Sequence, residues 1–366
     1  MLWLVKGLGP GGAERLLVAA ASVHDRSEFA FRTAYLLPWK DHLVAELANA
    51  GVPSECLGVR DERDVRWAAR LRRMLVADPV DVVHAHSPYP AGIARLVVRT
   101  LPRRIRPALV YTVHNTWSSF ALPTRLLCGV TMPLDAADFA VSREVHETLW
   151  PFLRRRTEVV VHGIPVARVA GARAERAAVR AELGLTPDEI VVGTVANFRA
   201  QKDYPNLFAA AQRLAERRVP VTIVAVGQGP LEAEMRARLA ALDLGDRVRL
   251  LGYRDDAVRV MGACDAFTLA SNNEGLPVAV MEALALGLPV VATRVGGLGE
   301  AITDGREGLL VEPRDPTALA DALERVVQDE ALRARFAAAA RARADAFDVG
   351  VGVRHIEARY REVVDR

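Results

Sequence analysis

The chain has 366 residues, 51% hydrophobic and 25% charged, which is longer than one ordinary core and ordered in composition, so two globular domains are expected. Its net charge of +3 is too small to argue for nucleic acid. No uninterrupted apolar run approaches the roughly 18 residues of a spanning helix. The three cysteines (Cys56, Cys128, Cys264) lie far apart without a CxxC pair, which argues against a disulfide framework or a zinc site. They read as buried thiols of a reducing compartment. The opening MLWLVKGLGPGG is too short for a signal peptide and lacks its cleavage pattern, so a cytoplasmic location is expected.

Strand-like apolar runs alternate with helical patterns along the whole chain. In the first half they fall at 2–5, 32–37, 82–84, 109–113, 139–141 and 158–161. In the second half they fall at 190–195, 221–226, 248–251, 266–269, 289–293 and 308–311. Strands alternating with helices imply βαβ units and largely parallel sheets. The series restarts after His162-Gly163-Ile164-Pro165, where a charged Ala/Arg stretch at 172–183 reads as a linker. The predicted fold is α/β, with two Rossmann-like βαβ domains facing across a cleft and ligands beyond the carboxyl ends of the strands. The Ala/Arg-rich stretch at 332–346 reads as a solvated helix face.

Taken in order, the motifs begin with Gly7-Leu-Gly9-Pro-Gly11-Gly12, a glycine loop between a strand and a helix that lets backbone approach a phosphate. A dinucleotide site would need an acid about twenty residues on. The second strand ends Leu36-Leu37-Pro38-Trp39 without one, so an NAD-binding oxidoreductase is a weak reading. His84, His86, His114 and His162 fall near strand ends, and alternation turns His84 into the core. Arg99, Arg103, Arg104 and Arg106, and later Trp150-Pro-Phe-Leu-Arg154-Arg155-Arg156, mix basic and apolar residues. Either set suits a solvated face or peripheral contact with an anionic membrane.

In the second half, Asn197-Phe-Arg199-Ala-Gln-Lys202 follows a strand, where basic side chains can hold a diphosphate. Gly227-Gln-Gly229-Pro230 and Gly252-Tyr253-Arg254 end two further strands. The stretch from Ser271 to Gly297 reads as a polar loop, an apolar helix starting at Pro277, a Gly-Leu-Pro turn and a strand at 290–293. That helix should be buried, yet it carries Glu282, with Glu274 in the loop before it. Buried acids need partners, and the helix start offers free N–H groups to an anion. Phosphates and hydroxyls on one ligand, as in a nucleotide sugar, satisfy both features.

The segment Glu274-Gly-Leu-Pro-Val-Ala-Val-Met-Glu282, with Gly287-Leu-Pro289 and Gly296-Gly297 after it, resembles the glutamate signature of glycosyltransferase family 4, which has the GT-B fold and retains anomeric configuration. Gly11-Gly12-Ala13-Glu14 resembles that family's GGAE turn, and Thr112-Val113-His114 its TVH segment. The resemblance implies an acceptor-side domain of residues 1–162 with 348–366, the terminal helix crossing back to it, and a nucleotide-sugar domain of 163–347. It implies catalytic roles for His114, Glu274 and Lys202. Donor contacts fall on Gly11, Gly12, Asn197, Arg199, Lys202, Gly227, Tyr253, Arg254, Glu274, Gly275, Leu276, Pro277, Val278 and Glu282. The family's phosphate-binding Arg is Asn197 here, which brings no charge; Arg199 is the candidate substitute.

The implied activity is hexosyl transfer from a nucleoside-diphosphate sugar, UDP-linked before GDP-linked, to a hydroxyl of a glycan, lipid-linked sugar or small molecule. No metal or other cofactor is expected, and no Asp-x-Asp occurs in the sequence. A nucleotide-sugar epimerase of the same fold is the alternative.

Overall fold

The computed structural model describes residues 1–60 and 64–365, so Arg366 of the expected terminal segment lies outside the described residues. The chain divides into two compact units, Met1–Gly163 with Val349–Arg366, and Ile164–Asp348.

Unit one is built on seven strands: β1 (Leu2–Val5), β2 (Arg32–Tyr35), β3 (Ser54–Cys56), β4 (Val82–Ala85), β5 (Ala108–Val113), β6 (Ala137–Ala140) and β7 (Thr157–Val159). Their spatial order is β3-β2-β1-β4-β5-β6-β7, and the pairings are parallel. Strands of a parallel sheet are covered on both faces. Accordingly β1, β4 and β6 are buried at every position, which is why plain apolar runs mark them. The edge strand β3 is different: Ser-Glu-Cys is largely exposed and leaves no apolar signature. Cys56 on it is exposed, not buried as the cysteine pattern suggested, whereas Cys128 and Cys264 are buried.

The terminal helix Val349–Val364 belongs to unit one and completes its core. Tyr360 and Val363 join Trp3, Phe29, Phe31 and Phe139 in one apolar cluster. Glu357 on the same helix is 5% exposed and accepts a hydrogen bond from the Asp25 amide at 2.8 Å.

Unit two carries β8 (Val191–Val195), β9 (Thr222–Val226), β10 (Val248–Gly252), β11 (Ala266–Leu269), β12 (Val290–Thr293) and β13 (Gly308–Val311), in the order β10-β9-β8-β11-β12-β13. The Ala/Arg stretch that reads as a linker is bound into this unit. Arg176 reaches Asp265 at 2.6 Å, and Arg180, 4% exposed, donates to the Ala263 carbonyl at 2.9 Å. The helix Glu330–Ala344, expected to be a solvated face, buries Leu332, Phe336, Ala340 and Ala344 and packs on the helix Val278–Ala285. Arginine-rich text misleads here because the partners are main-chain carbonyls and an acid distant in sequence. Among the described residues no helix is long and apolar enough to cross a membrane.

Each sheet reverses its winding once, between β1 and β4 in unit one and between β8 and β11 in unit two. Loops leaving adjacent strands on opposite sides of such a point part to leave a crevice, the usual place for a ligand in α/β sheets.

Candidate active site

In unit two the loops after β8 and β11 flank the switch point, and they hold Lys202 and Glu274. Lys202 Nζ lies 2.5 Å from Glu274 Oε1, and the Ser271 hydroxyl donates to the same oxygen at 2.5 Å. Both contacts fall on Oε1 of a residue that is only 8% exposed. The loops are tied together by the Asn272 amide donating to the Gln201 carbonyl at 2.8 Å. Thr293 at the end of β12 donates to the Ser271 carbonyl. Ser271 and Thr293 thus fix the glutamate. Sequence reading assigned neither a role, and Ser271 beginning the polar loop is the signal that could have found it.

The loop carrying Glu274 rests on Gly296-Gly297 after β12. The Gly297 amide donates to the Gly275 carbonyl at 2.5 Å. Gly296 has φ +58, and a Cβ there would lie 2.1 Å from the Glu274 carbonyl oxygen. Only glycine supplies that conformation at that distance without strain. Pro277 caps the following helix with extended backbone (φ −73, ψ 123), one residue before the first helical position Val278. This corrects the expected helix start at Pro277. The helix is also not buried all round: Val278, Ala279 and Glu282 are half-buried while Val280, Met281 and Ala283–Ala285 face the core. Leu276 is half-buried and Gly275 buried.

Asn197 is half-buried and Arg199 exposed in the turn before Lys202. The turn is set against Gly227 and Gly229: a Cβ on Gly227 would lie 2.0 Å from the Ala196 carbonyl oxygen. The Phe198 amide donates to the Gln228 carbonyl at 3.0 Å. Beyond β10, Tyr253 is 41% exposed beside Arg254, whose guanidinium is held by Asp256 at 2.7 Å and Glu182 at 2.6 Å. Tyr253, Arg254, Asp255, Asp256 and Arg259 line a shallow depression.

In unit one, Gly11 caps the helix Gly12–Ala21 after β1, and Glu14 folds back to where a Gly11 Cβ would stand. Past the ends of β4, β5 and β7 come His86, His114 and His162. His86 Nδ1 lies 3.2 Å from His114 Nε2, and the His114 and His162 rings are 5.5 Å apart. His84 points inward as alternation predicts, 1% exposed, between Tyr360 Oη at 2.5 Å and Thr112 Oγ1 at 2.8 Å. Burial, then neighbouring histidine charge, pushes His114 down to about 3, and burial takes His162 to about 4. The cluster is uncharged at neutral pH. Among the described residues no group of His, Cys, Asp or Glu is arranged to hold a metal ion.

Residues 10–192 match the model of Glycosyltransferase Family 4, and residues 175–343 match that of Glycosyl transferases group 1. The chain belongs to glycosyltransferase family 4. Two curated enzymes illustrate the likeness. The UDP-Gal:α-D-GlcNAc-diphosphoundecaprenol α-1,3-galactosyltransferase of Escherichia coli is 26% identical, the match covering 81% of this chain and 79% of that one. The D-inositol 3-phosphate glycosyltransferase of a Nocardioides species is 31% identical, over 75% of this chain and 66% of that one. Among solved structures, Anabaena HepE in complex with UDP-glucose superposes with a TM-score of 0.83 at 22% identity, covering 98% of each chain. Sucrose-phosphate synthase from Thermosynechococcus elongatus does so with a TM-score of 0.80 at 20% identity, over 99% and 98%.

This family 4 glycosyltransferase therefore has the GT-B architecture of two Rossmann-like domains and uses nucleotide sugars. The structure brings Lys202 to Glu274 and His86 to His114. It commits Arg254 to two acids and leaves Arg199 exposed.

Proposed function

We propose that the enzyme is a retaining, metal-independent hexosyltransferase, taking a UDP-sugar before a GDP-sugar and passing the hexosyl group to an acceptor hydroxyl. The observation that carries this reading is the Lys202–Glu274 pair at the switch point of unit two, one ammonium and one carboxylate on converging loops. The ammonium meets the diphosphate and Glu274 Oε2 accepts from sugar hydroxyls. Glu282, one turn on from the helix start at Val278, takes the ribose hydroxyls. UDP in the printed names of the E. coli relative and of the HepE complex supports the choice of base.

In the reaction the bond from the anomeric carbon to the diphosphate oxygen breaks while the acceptor oxygen bonds to that carbon from the same face. The acceptor proton passes to the departing diphosphate, so no protein nucleophile or base is required. Lys202 and the N–H groups of Gly275, Leu276 and Val278 offset the charge that builds on the leaving group. Preorganised donors of this kind contribute about 3 kcal/mol each to the transition state. His114 donates a hydrogen bond to the hexosyl group.

Incubating the enzyme in EDTA with a panel of UDP- and GDP-sugars and candidate hydroxyl acceptors tests this. Released nucleoside diphosphate with a product of unchanged anomeric configuration is expected. An inverted product would refute retention, and epimerised donor formed without any acceptor would favour the epimerase.

A further inference from the structure

Three imidazoles stand together beyond β4, β5 and β7, and among the described residues one pair of them shares a hydrogen bond: His86 Nδ1 with His114 Nε2, at 3.2 Å. Neutral rings share one proton across such a contact, so one must donate and the other accept. The surroundings of His86 decide which. Its ring stacks on His84 (centroids 4.1 Å apart, 31° between planes) and meets Trp3 edge-on at 6.5 Å and 90°. Its Nε2 is sealed from solvent with no hydrogen-bond partner among the described residues. His84 offers none, since Tyr360 and Thr112 occupy both its nitrogens.

A proton on His86 Nε2 would strand an N–H among aromatic rings, and orphaned buried N–H groups are rarer than under-satisfied acceptors. A bare nitrogen there costs less, which places the His86 proton on Nδ1. His162 shows the same arrangement independently. Its Nδ1 faces the Val160 carbonyl at 3.1 Å, which can only accept, so the proton is on Nδ1 and the buried Nε2 is bare.

We propose that His86 is a positioning residue for glycosyl transfer: its Nδ1–H holds His114 in the tautomer that carries its own proton on Nδ1, so His114 meets the hexosyl group as a hydrogen-bond donor through that atom. Burial keeps both rings uncharged, so neither acts as an acid or a base. The β4 loop thereby fixes the chemistry offered by the residue after β5. The part played in turnover rests on the hexosyltransferase reading above; the tautomer does not.

Two measurements test it. In histidine-labelled full-length protein at pH 7.5, long-range proton–nitrogen correlation, assigned with His114→Gln, should show His114 protonated at Nδ1 and bare at Nε2. Protonation at Nε2 overturns the proposal. In kinetics, His86→Asn keeps an N–H near the Nδ1 position, whereas His86→Phe keeps the ring without a donor. His86→Phe should lower kcat about 30-fold with donor KM and nucleotide affinity changed less than about threefold, while His86→Asn stays within about threefold of wild type. A His86→Phe enzyme with wild-type kcat, or two variants impaired alike in step with Tm, overturns it. If His86→Phe does not fold, the spectrum of the wild-type protein still decides. Absence of any sugar transfer by wild type would refute the functional reading and the role in turnover together, while the tautomer would be judged by the spectrum alone.

Discussion

Lys202 Nζ sits 2.5 Å from Glu274 Oε1, with the two side chains 17% and 9% exposed. Each charge is the counter-ion of the other, and in the proposed complex a diphosphate sugar takes over both roles. Removing one partner from a largely buried pair leaves the other uncompensated. Lys202→Met and Glu274→Gln are each expected to destabilise the protein by about 2 kcal/mol, with the double variant costing less than the sum. Urea unfolding of the four proteins measures that coupling.

Gly296 supports the same site through its backbone. With φ +58 and the Glu274 carbonyl oxygen 2.1 Å from the position of a Cβ, alanine requires the glutamate loop to shift. Gly296→Ala should cost about 2 kcal/mol and weaken nucleotide-sugar binding, whereas alanine at Gly299, which has open space, should do neither. Thermal shift with and without donor distinguishes them.

The histidine cluster gives the protein an acid sensitivity whose sign follows from its depressed pKa values. His162 titrates at about 4 in the fold, because it is buried, against roughly 6.5 in an unfolded chain. Above pH 6.5 both states are neutral and the stability is full. As pH falls from 6.5 towards 4 the unfolded state alone takes up the proton, and about 3 kcal/mol is lost at this residue. His114 adds loss in the same direction. Urea midpoints should fall steadily between pH 7 and 4.5, less steeply in His162→Phe.

Much of this molecule was legible before any coordinates. The strands Leu2–Val5, Ala266–Leu269 and Gly308–Val311 were readable to the residue, because buried parallel strands are unbroken apolar runs. The edge strand Ser54–Cys56 was not, because polar residues at a sheet edge obey no apolar pattern. The signature around Glu274 singled out the candidate site, but not the pairing of that residue with Lys202 across 72 residues, nor the hydrogen bond between His86 and His114. Such contacts arise where strand order sets loops side by side. Arg176 and Arg180 misled for a related reason, since main-chain carbonyls near Ala263 receive them.

Arg95 and Asp135 form a further pair invisible to local reading. Both side chains are 1% exposed, and Arg95 donates through Nε at 2.9 Å and Nη2 at 2.6 Å. Arg95→Met strands a buried carboxylate and should cost about 4 kcal/mol. Because the pair lies away from the strand-end loops, donor KM should be unchanged in whatever folded protein remains, which chemical denaturation and initial rates establish together.

Calorimetric titration in EDTA of UDP- and GDP-sugars into wild type, Lys202→Ala and Glu282→Ala examines the donor site most directly. Saturable binding of at least one of these sugars by wild type, weakened about tenfold or more by each substitution, is the expected result. No binding of any nucleotide sugar, or binding that both substitutions leave untouched, would contradict the assignment of unit two as the donor site.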